Sequence, residues 1–167
     1  DYPGGVNVAS SDVNSDGRVE VIAGGAAMIA ASTLNVADLA FDVDGRVTIE
    51  QASRVTAGNL TVGGADNAHV TDAFTVVDSF FDITYRLDVA VAGDFSLENA
   101  DIDVGAVTTD ADGNALHRGA AKLNTGGDVF IVDSFFDVFF DIEVEATNLA
   151  VTGSDVNFEN ATLTTRQ

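Results

Sequence analysis

The feature that most constrains the fold is a short apolar motif that recurs along the chain. The motif is an aliphatic residue, any residue, and then Val. Successive copies begin 26 to 36 residues apart, and a repeat of about this length is typical of a chain wound into stacked units. Five copies and a degenerate sixth are present, starting at Val6, Leu34, Leu60, Leu87, Leu149 and (degenerate) Leu123.

A second repeated pattern lies between the copies of the first. Residues 93–102 align with 127–136 and with 154–163, residues 74–81 follow the same template, and weaker copies begin at Val19 and Val47. Each copy alternates apolar and polar residues, which is the period of a strand with one buried face. The predicted inward positions are Phe95, Leu97, Val129, Ile131, Val156 and Phe158.

Two patterns in one constant order predict an all-β chain. We expect a right-handed parallel β-helix (solenoid) of about six coils, with residues 1–167 forming a single domain or a segment of a longer solenoid. The alternative is an antiparallel β-sandwich whose edge strands pair between subunits. The gaps between the two patterns are longer in the first three coils, which predicts stacked loops at one corner.

Short polar residues in the second pattern predict a turn that recurs in every coil. Asn or Asp followed by Ala or Ser favours a tight turn, because the polar side chain can bond to nearby backbone. Stacking would bring four of these residues into one turn ladder, consisting of Asp78, Asn99, Asp133 and Asn160.

Pairs of adjacent phenylalanines follow two of these turns. Neighbouring strand residues point to opposite faces, so only one ring of each pair can enter the core. We expect Phe81 and Phe136 to point inward, together with Ile102 and Leu163. Outward rings indicate a contact surface, and the predicted interface residues are Phe80, Phe135, Phe139 and Phe140.

The repeats resemble those of filamentous-haemagglutinin-type adhesins, most clearly over residues 87–104 and 149–164. The shared features are Val-x-Val, the Gly-Asp strand and the Asn-Ala turn. This resemblance implies a parallel β-helix exported to a bacterial surface.

An acidic segment near the start, residues 12–20, resembles the calcium loops of FG-GAP repeats and dockerins. Calcium takes six to eight oxygen ligands from flexible loops. The resemblance implies calcium as a cofactor, with ligands from Asp12, Asn14, Asp16, the Arg18 carbonyl and Glu20. A second acidic segment at residues 42–46 adds Asp42 and Asp44, although an Asp/Asn/Gly-rich turn between strands would look the same.

Charge and composition limit the partners. The chain carries 27 acidic against 7 basic side chains, a formal net charge of −20. We therefore expect no nucleic-acid partner, and anionic membranes are poor partners, because phosphate contact needs clustered Lys and Arg. No apolar run is long enough to insert into a membrane. The chain has no Cys, which favours a secreted or cell-surface protein of prokaryotic type over a disulfide-rich animal one.

No catalytic constellation stands out from the acidic background, so we expect the protein not to be an enzyme; a polysaccharide-active enzyme is the least favoured reading. Without recognisable caps, solenoid ends expose strand edges. We therefore expect a structural subunit that assembles head to tail with itself into a filament or surface scaffold. The alternative is a calcium-dependent adhesin that binds surface glycans or a host protein through the segment 105–122.

Overall fold

A computed structural model describes residues 19–63, 70–109 and 111–166. All of its regular structure is strand, and no helix occurs in these ranges. The strands are β1 (Val19–Ala23), β2 (Ala27–Ala30), β3 (Thr33–Val43), β4 (Gly45–Glu50), β5 (Arg54–Gly63), β6 (Thr71–Val77), β7 (Phe80–Val91), β8 (Phe95–Glu98), β9 (Asp101–Val104), β10 (Ala106–Thr109), β11 (Ala115–Arg118), β12 (Ala120–Thr125), β13 (Val129–Val132), β14 (Phe135–Ala146), β15 (Leu149–Thr152) and β16 (Asp155–Thr165).

The chain alternates between two parallel sheets. The larger sheet has the order β1-β3-β5-β7-β12-β14-β16, with β9 between β7 and β14, and the smaller has the order β15-β13-β8-β6-β4-β2. Only the hairpin β10–β11 pairs antiparallel among the described strands. The antiparallel sandwich is therefore wrong. Except between β9 and β12, the chain passes through one sheet before it forms the next strand of the other, and such a crossover leaves the two strands parallel.

One hydrophobic core lies between the sheets. It contains the buried Val, Ile, Leu and Phe side chains of both sheets. The ring centroid of Phe74 in β6 lies 6.5 Å from the ring centroid of Phe81 in β7 and 5.7 Å from that of Phe95 in β8. Buried and outward residues alternate along the strands, and the burial predicted for Phe95, Leu97, Val129 and Ile131 is confirmed.

The register shows a shorter basic repeat than the first motif predicts. Leu39 pairs with Leu60 and Val47 with Ala27, so partners lie 21 and 20 residues apart. Leu60 does pair with Leu87. Leu34 instead pairs with Val55, and Leu149 lies in the smaller sheet opposite Val129. The predicted spacing is confirmed for Leu60 and Leu87 and wrong for Leu34 and Leu149, because Leu-x-Val suits any strand with alternate inward positions and occurs in both sheets.

The second motif is right in the middle of the chain and wrong at its end. Phe74, Phe95 and Val129 are register partners in the smaller sheet. Val156, however, pairs with Phe136 in the larger sheet. Val156 is half-buried and Phe158 is 45% exposed because both lie in β16, which is an edge strand of the larger sheet within the described residues.

The longest departure from the basic spacing is the hairpin β10–β11. Strand β9 pairs with the first part of β7 and β12 pairs with its second part. The hairpin therefore interrupts what is one continuous strand in β7. Its base is closed by Gly105 and Gly119, where a Cβ on Gly119 would clash with the Gly105 Cα atom. The predicted insertion 105–122 corresponds to this hairpin, except that residues 120–122 belong to β12.

The acidic segment 42–46 is not a loop. Strand β3 ends at Val43 and β4 begins at Gly45, so only Asp44 separates them. Gly45 has a φ of 142°, and a Cβ there would contact the Gly25 backbone. The predicted stacking of three corner loops is therefore wrong for this segment.

Candidate functional site

A stack of left-handed residues forms at the connections from the smaller sheet to the larger one. We call Ala31, Ala52, Asp78, Asn99, Asp133 and Gly153 the corner stack; all have φ between 47° and 63°. Asn and Asp tolerate this conformation better than most residues because their side chains bond locally. Asn99 Nδ2 donates to Asp78 Oδ1 at 2.5 Å, one link of the predicted turn ladder.

Asn160, the fourth residue predicted for this ladder, lies elsewhere. It belongs to β16 and donates from Nδ2 to Asp141 Oδ1 at 3.0 Å. Gly153 takes the corner position in its place. The error has the same cause as that at Val156, because the alternating pattern of residues 154–163 fits a strand of either sheet.

A serine stack, which the sequence alone did not reveal, follows the corner stack. Its members are Ser32, Ser53, Ser79, Ser134 and Ser154, with Ala100 at the equivalent sixth position. Each hydroxyl donates to a backbone carbonyl two or three residues earlier. Three of them also accept a backbone N–H from the neighbouring strand connection. The repeated Asp-Ser dipeptides at 78–79 and 133–134 are the signal that could have revealed it.

An open groove of about 730 Å³ runs along the corner stack. We call it the corner groove. Its second wall is formed by the first outward residues of successive larger-sheet strands, which are register partners: Arg54, Phe80, Asp101, Phe135 and Asp155. The Arg54 guanidinium lies over the Phe80 ring, 4.2 Å from its centroid.

The predicted aromatic interface residues fall into two separate groups. Phe80 and Phe135 are half-buried in the corner groove, next to the fully buried Phe81 and Phe136. This inward and outward alternation is as predicted, but Leu163 is 60% exposed and pairs with Val144 instead of lying beside Phe136.

Phe139 and Phe140 lie at a different place, the bend of β14 where the register shifts between Val138 and Asp141. The Phe139 Cβ atom lies beside Gly105 at the base of the hairpin, and Phe140 is exposed. Phe139 lies four positions after Phe135 along extended chain, a distance of roughly 13 Å. The four rings therefore do not form one surface.

A row of carboxylates crosses three neighbouring strands beside the groove. Asp82 pairs with Asp103, and Asp103 pairs with Asp137. Partial burial, together with the negative charges of Asp101, Asp137 and Asp82, raises the pKa of Asp103 above its ordinary value of 3.8. Like charges opposite one another on adjacent strands destabilise a sheet.

The predicted calcium ligands are only partly placed. Asp12, Asn14, Asp16 and Arg18 lie outside the described residues. Glu20 lies within β1 and Asp42 within β3, on adjacent strands, and Asp44 joins β3 to β4. Within the described ranges, no three acidic, His or Cys side chains converge as a metal-binding group.

The strands β15 and β16 form an exposed surface that we call the open end. Leu149, Val151, Phe158 and Leu163 are all exposed there. Their register partners one strand further in, Val129, Ile131, Val138 and Val144, are all buried. The open end therefore presents, uncovered, the same rows of apolar side chains that form the core elsewhere.

The comparisons with known proteins identify no relative. No protein-family model matches the chain, and neither does any curated protein or solved structure. Among the described residues, no helix is long and apolar enough to cross a bilayer.

Proposed function

We propose that the chain winds as a right-handed parallel β-solenoid and serves as an extracellular structural subunit that stacks head to tail with other copies. The winding is supported by the regular alternation between two parallel sheets and by partners 20 or 21 residues apart. Right-handed winding is supported by the strong preference of crossovers between parallel strands of one sheet for a right-handed path.

The observation that carries the structural role is the open end. A strand edge with unpaired backbone groups is a template for pairing with another strand. At this edge Leu149, Phe158 and Leu163 continue rows that are buried in the preceding strands. One further parallel layer would extend both sheets and cover these side chains.

A second copy is the occupant that suits this surface. Parallel continuation requires strands of the same direction and of similar apolar pattern, which an identical chain provides at its other end. Within the described residues, β1 and β2 are the opposite edges of the two sheets. Contact between two different ends of identical chains does not close on itself, so it produces an open filament.

The acidic surface is consistent with an extracellular scaffold. A net charge of −20 opposes side-by-side association of the chains. The same charge makes lateral association sensitive to salt and to divalent cations, since screening shortens the range of repulsion. We propose that calcium bound near residues 12–20 further stabilises the assembly.

The test is a charge placed on the open end. We expect the purified protein to form end-to-end particles in electron micrographs, and to show concentration-dependent mass by light scattering. Leu163→Asp and Phe158→Asp should each abolish the end-to-end particles and the rise in mass, because each would place a buried carboxylate at the junction between two chains. Since the native side chains are exposed in a single chain, these substitutions should leave its fold intact.

Val107→Asp provides the matched control, since Val107 is similarly exposed but lies on the hairpin. It should assemble as the native protein does. Native protein that stays monomeric at every concentration, with and without calcium, would disprove the proposed assembly.

A second candidate function is a binding module centred on the hairpin. The exposed side chains Tyr85 and Phe140 lie at the same bend as the hairpin base, and Val107 is exposed on the hairpin itself. Exposed aromatic and aliphatic groups together are typical of an interaction surface. Binding of surface glycans or a host protein by a monomer, lost in Tyr85→Ala, would favour this function.

A further inference from the structure

The corner groove alternates aromatic rings with carboxylates along its length. Neighbouring strands lie 4.7–4.9 Å apart, so Phe80 and Phe135, two strands apart, are separated by about 9.5 Å with Asp101 between them. Asp78 and Asp133 of the corner stack line the opposite wall. A guest in this groove would thus meet ring faces and negative charges together.

One cation already occupies part of the groove. The Arg54 guanidinium lies 4.2 Å from the centroid of the Phe80 ring, the arrangement in which the negative ring face attracts a positive charge. The equivalent ring two strands further on, Phe135, has Asp101 and Asp155 as its register partners on either side. Phe135 therefore has a carboxylate on both sides, whereas Phe80 has Arg54 on one side and Asp101 on the other.

We propose that the corner groove binds a cationic side chain, arginine above all, presented by a basic segment of a partner protein. The guest would lie over the Phe135 ring and between the carboxylates of Asp101 and Asp155, as Arg54 lies over Phe80. Guanidinium groups suit such a site because they stack on rings and bind carboxylates in one plane. The proposal is independent of end-to-end assembly, since the groove lies along the side of the stack.

Peptide titration tests this directly. The probe is a fluorescent tetra-arginine peptide, with tetra-glutamine as the neutral control, in 0.15 M salt to suppress long-range attraction. We expect the tetra-arginine peptide to bind and the tetra-glutamine peptide not to bind. Phe135→Ala and Phe135→Leu should each weaken binding roughly two- to five-fold, as expected for the loss of an exposed cation–π contact; the leucine variant retains the apolar bulk and so separates the ring face from folding.

Matched controls distinguish the groove from the general acidity of the surface. Phe130→Leu removes a half-buried ring on the outer side of β13, and Asp72→Asn removes an exposed carboxylate; both residues lie outside the groove. Neither should change the affinity as Phe135→Leu and Asp101→Asn do. Equal losses in the groove variants and in these controls would overturn the proposal, and so would equal binding of the glutamine peptide.

Arg54, which already lies over the Phe80 ring, gives the sharpest comparison. Removing it in Arg54→Gln frees the Phe80 ring for the guest, whereas Arg46→Gln deletes the same charge from an exposed position in β4. We expect Arg54→Gln to tighten binding roughly two- to five-fold beyond Arg46→Gln. If the two variants bind alike, the peptide does not occupy the groove and the proposal fails.

Discussion

The serine stack gives a stability prediction that can be worked out atom by atom. The buried Ser134 hydroxyl donates to the Val132 carbonyl at 2.7 Å and accepts the Ala100 N–H at 3.1 Å. In Ser134→Ala the Val132 carbonyl keeps a partner, the Asn99 N–H at 3.0 Å. The Ala100 N–H, which is buried, loses the hydroxyl as its acceptor. Leaving such a buried donor unsatisfied costs about 1–3 kcal/mol.

We therefore expect Ser134→Ala to lower the free energy of unfolding by about 1–3 kcal/mol, measured by urea denaturation followed by circular dichroism. Ser154→Ala should cost less, because its hydroxyl accepts the Ser134 N–H near the open end, where water can replace it. Ser96→Ala, on the outer side of β8, should stay within about 0.5 kcal/mol of the native protein. A Ser134→Ala protein as stable as Ser96→Ala would show that the serine stack does not hold the sheets together.

Three further predictions concern charge, the hairpin and calcium. Asp103→Asn should stabilise the protein by about 0.5–1 kcal/mol at neutral pH, because it removes two like-charge pairs across neighbouring strands. Since folding raises the pKa of Asp103, this gain in stability should be full at a pH above the raised pKa of the folded state and should disappear below pH 3.8. Denaturation measured across this pH range tests the prediction, and a gain that persists at low pH would show that it does not come from the charge of Asp103. Residues 105–119 can be replaced with Thr-Tyr, the two residues that stand at positions 84–85 of β7, so that β9 and β12 form one continuous strand. This replacement should change the free energy of unfolding by about 1 kcal/mol or less, whereas an unfolded product would contradict the register of β7, β9 and β12. Calcium at about a hundred times its dissociation constant should add about 2.7 kcal/mol to the free energy of unfolding, and Asp16→Asn should remove that gain; equal stabilisation of both proteins would rule out residues 12–20 as the site.

The candidate site divides into a part that was predictable and a part that was not. The positions of Asp78, Asn99 and Asp133 could be predicted because the polar turn residue and the alternating strand before it occur together in the sequence. The placement of Phe80 and Phe135 on the outer face followed from the alternation of strand side chains. The carboxylate row was not predictable, because Asp82, Asp103 and Asp137 become neighbours only when the register is known.

The sequence by itself determined that the chain is all-β, and it specified which face of each strand enters the core, because a two-residue period has only one way to bury its apolar members. The sequence did not determine the repeat length or the sheet to which each strand belongs. An apolar alternation carries no information on which strand lies beside it, so Leu34 and Leu149 could be aligned with Leu60 equally well. Only the tertiary structure decided that partners in most strand pairs lie 20 or 21 residues apart, and that others lie further apart, because backbone pairing and core packing together accept a single register.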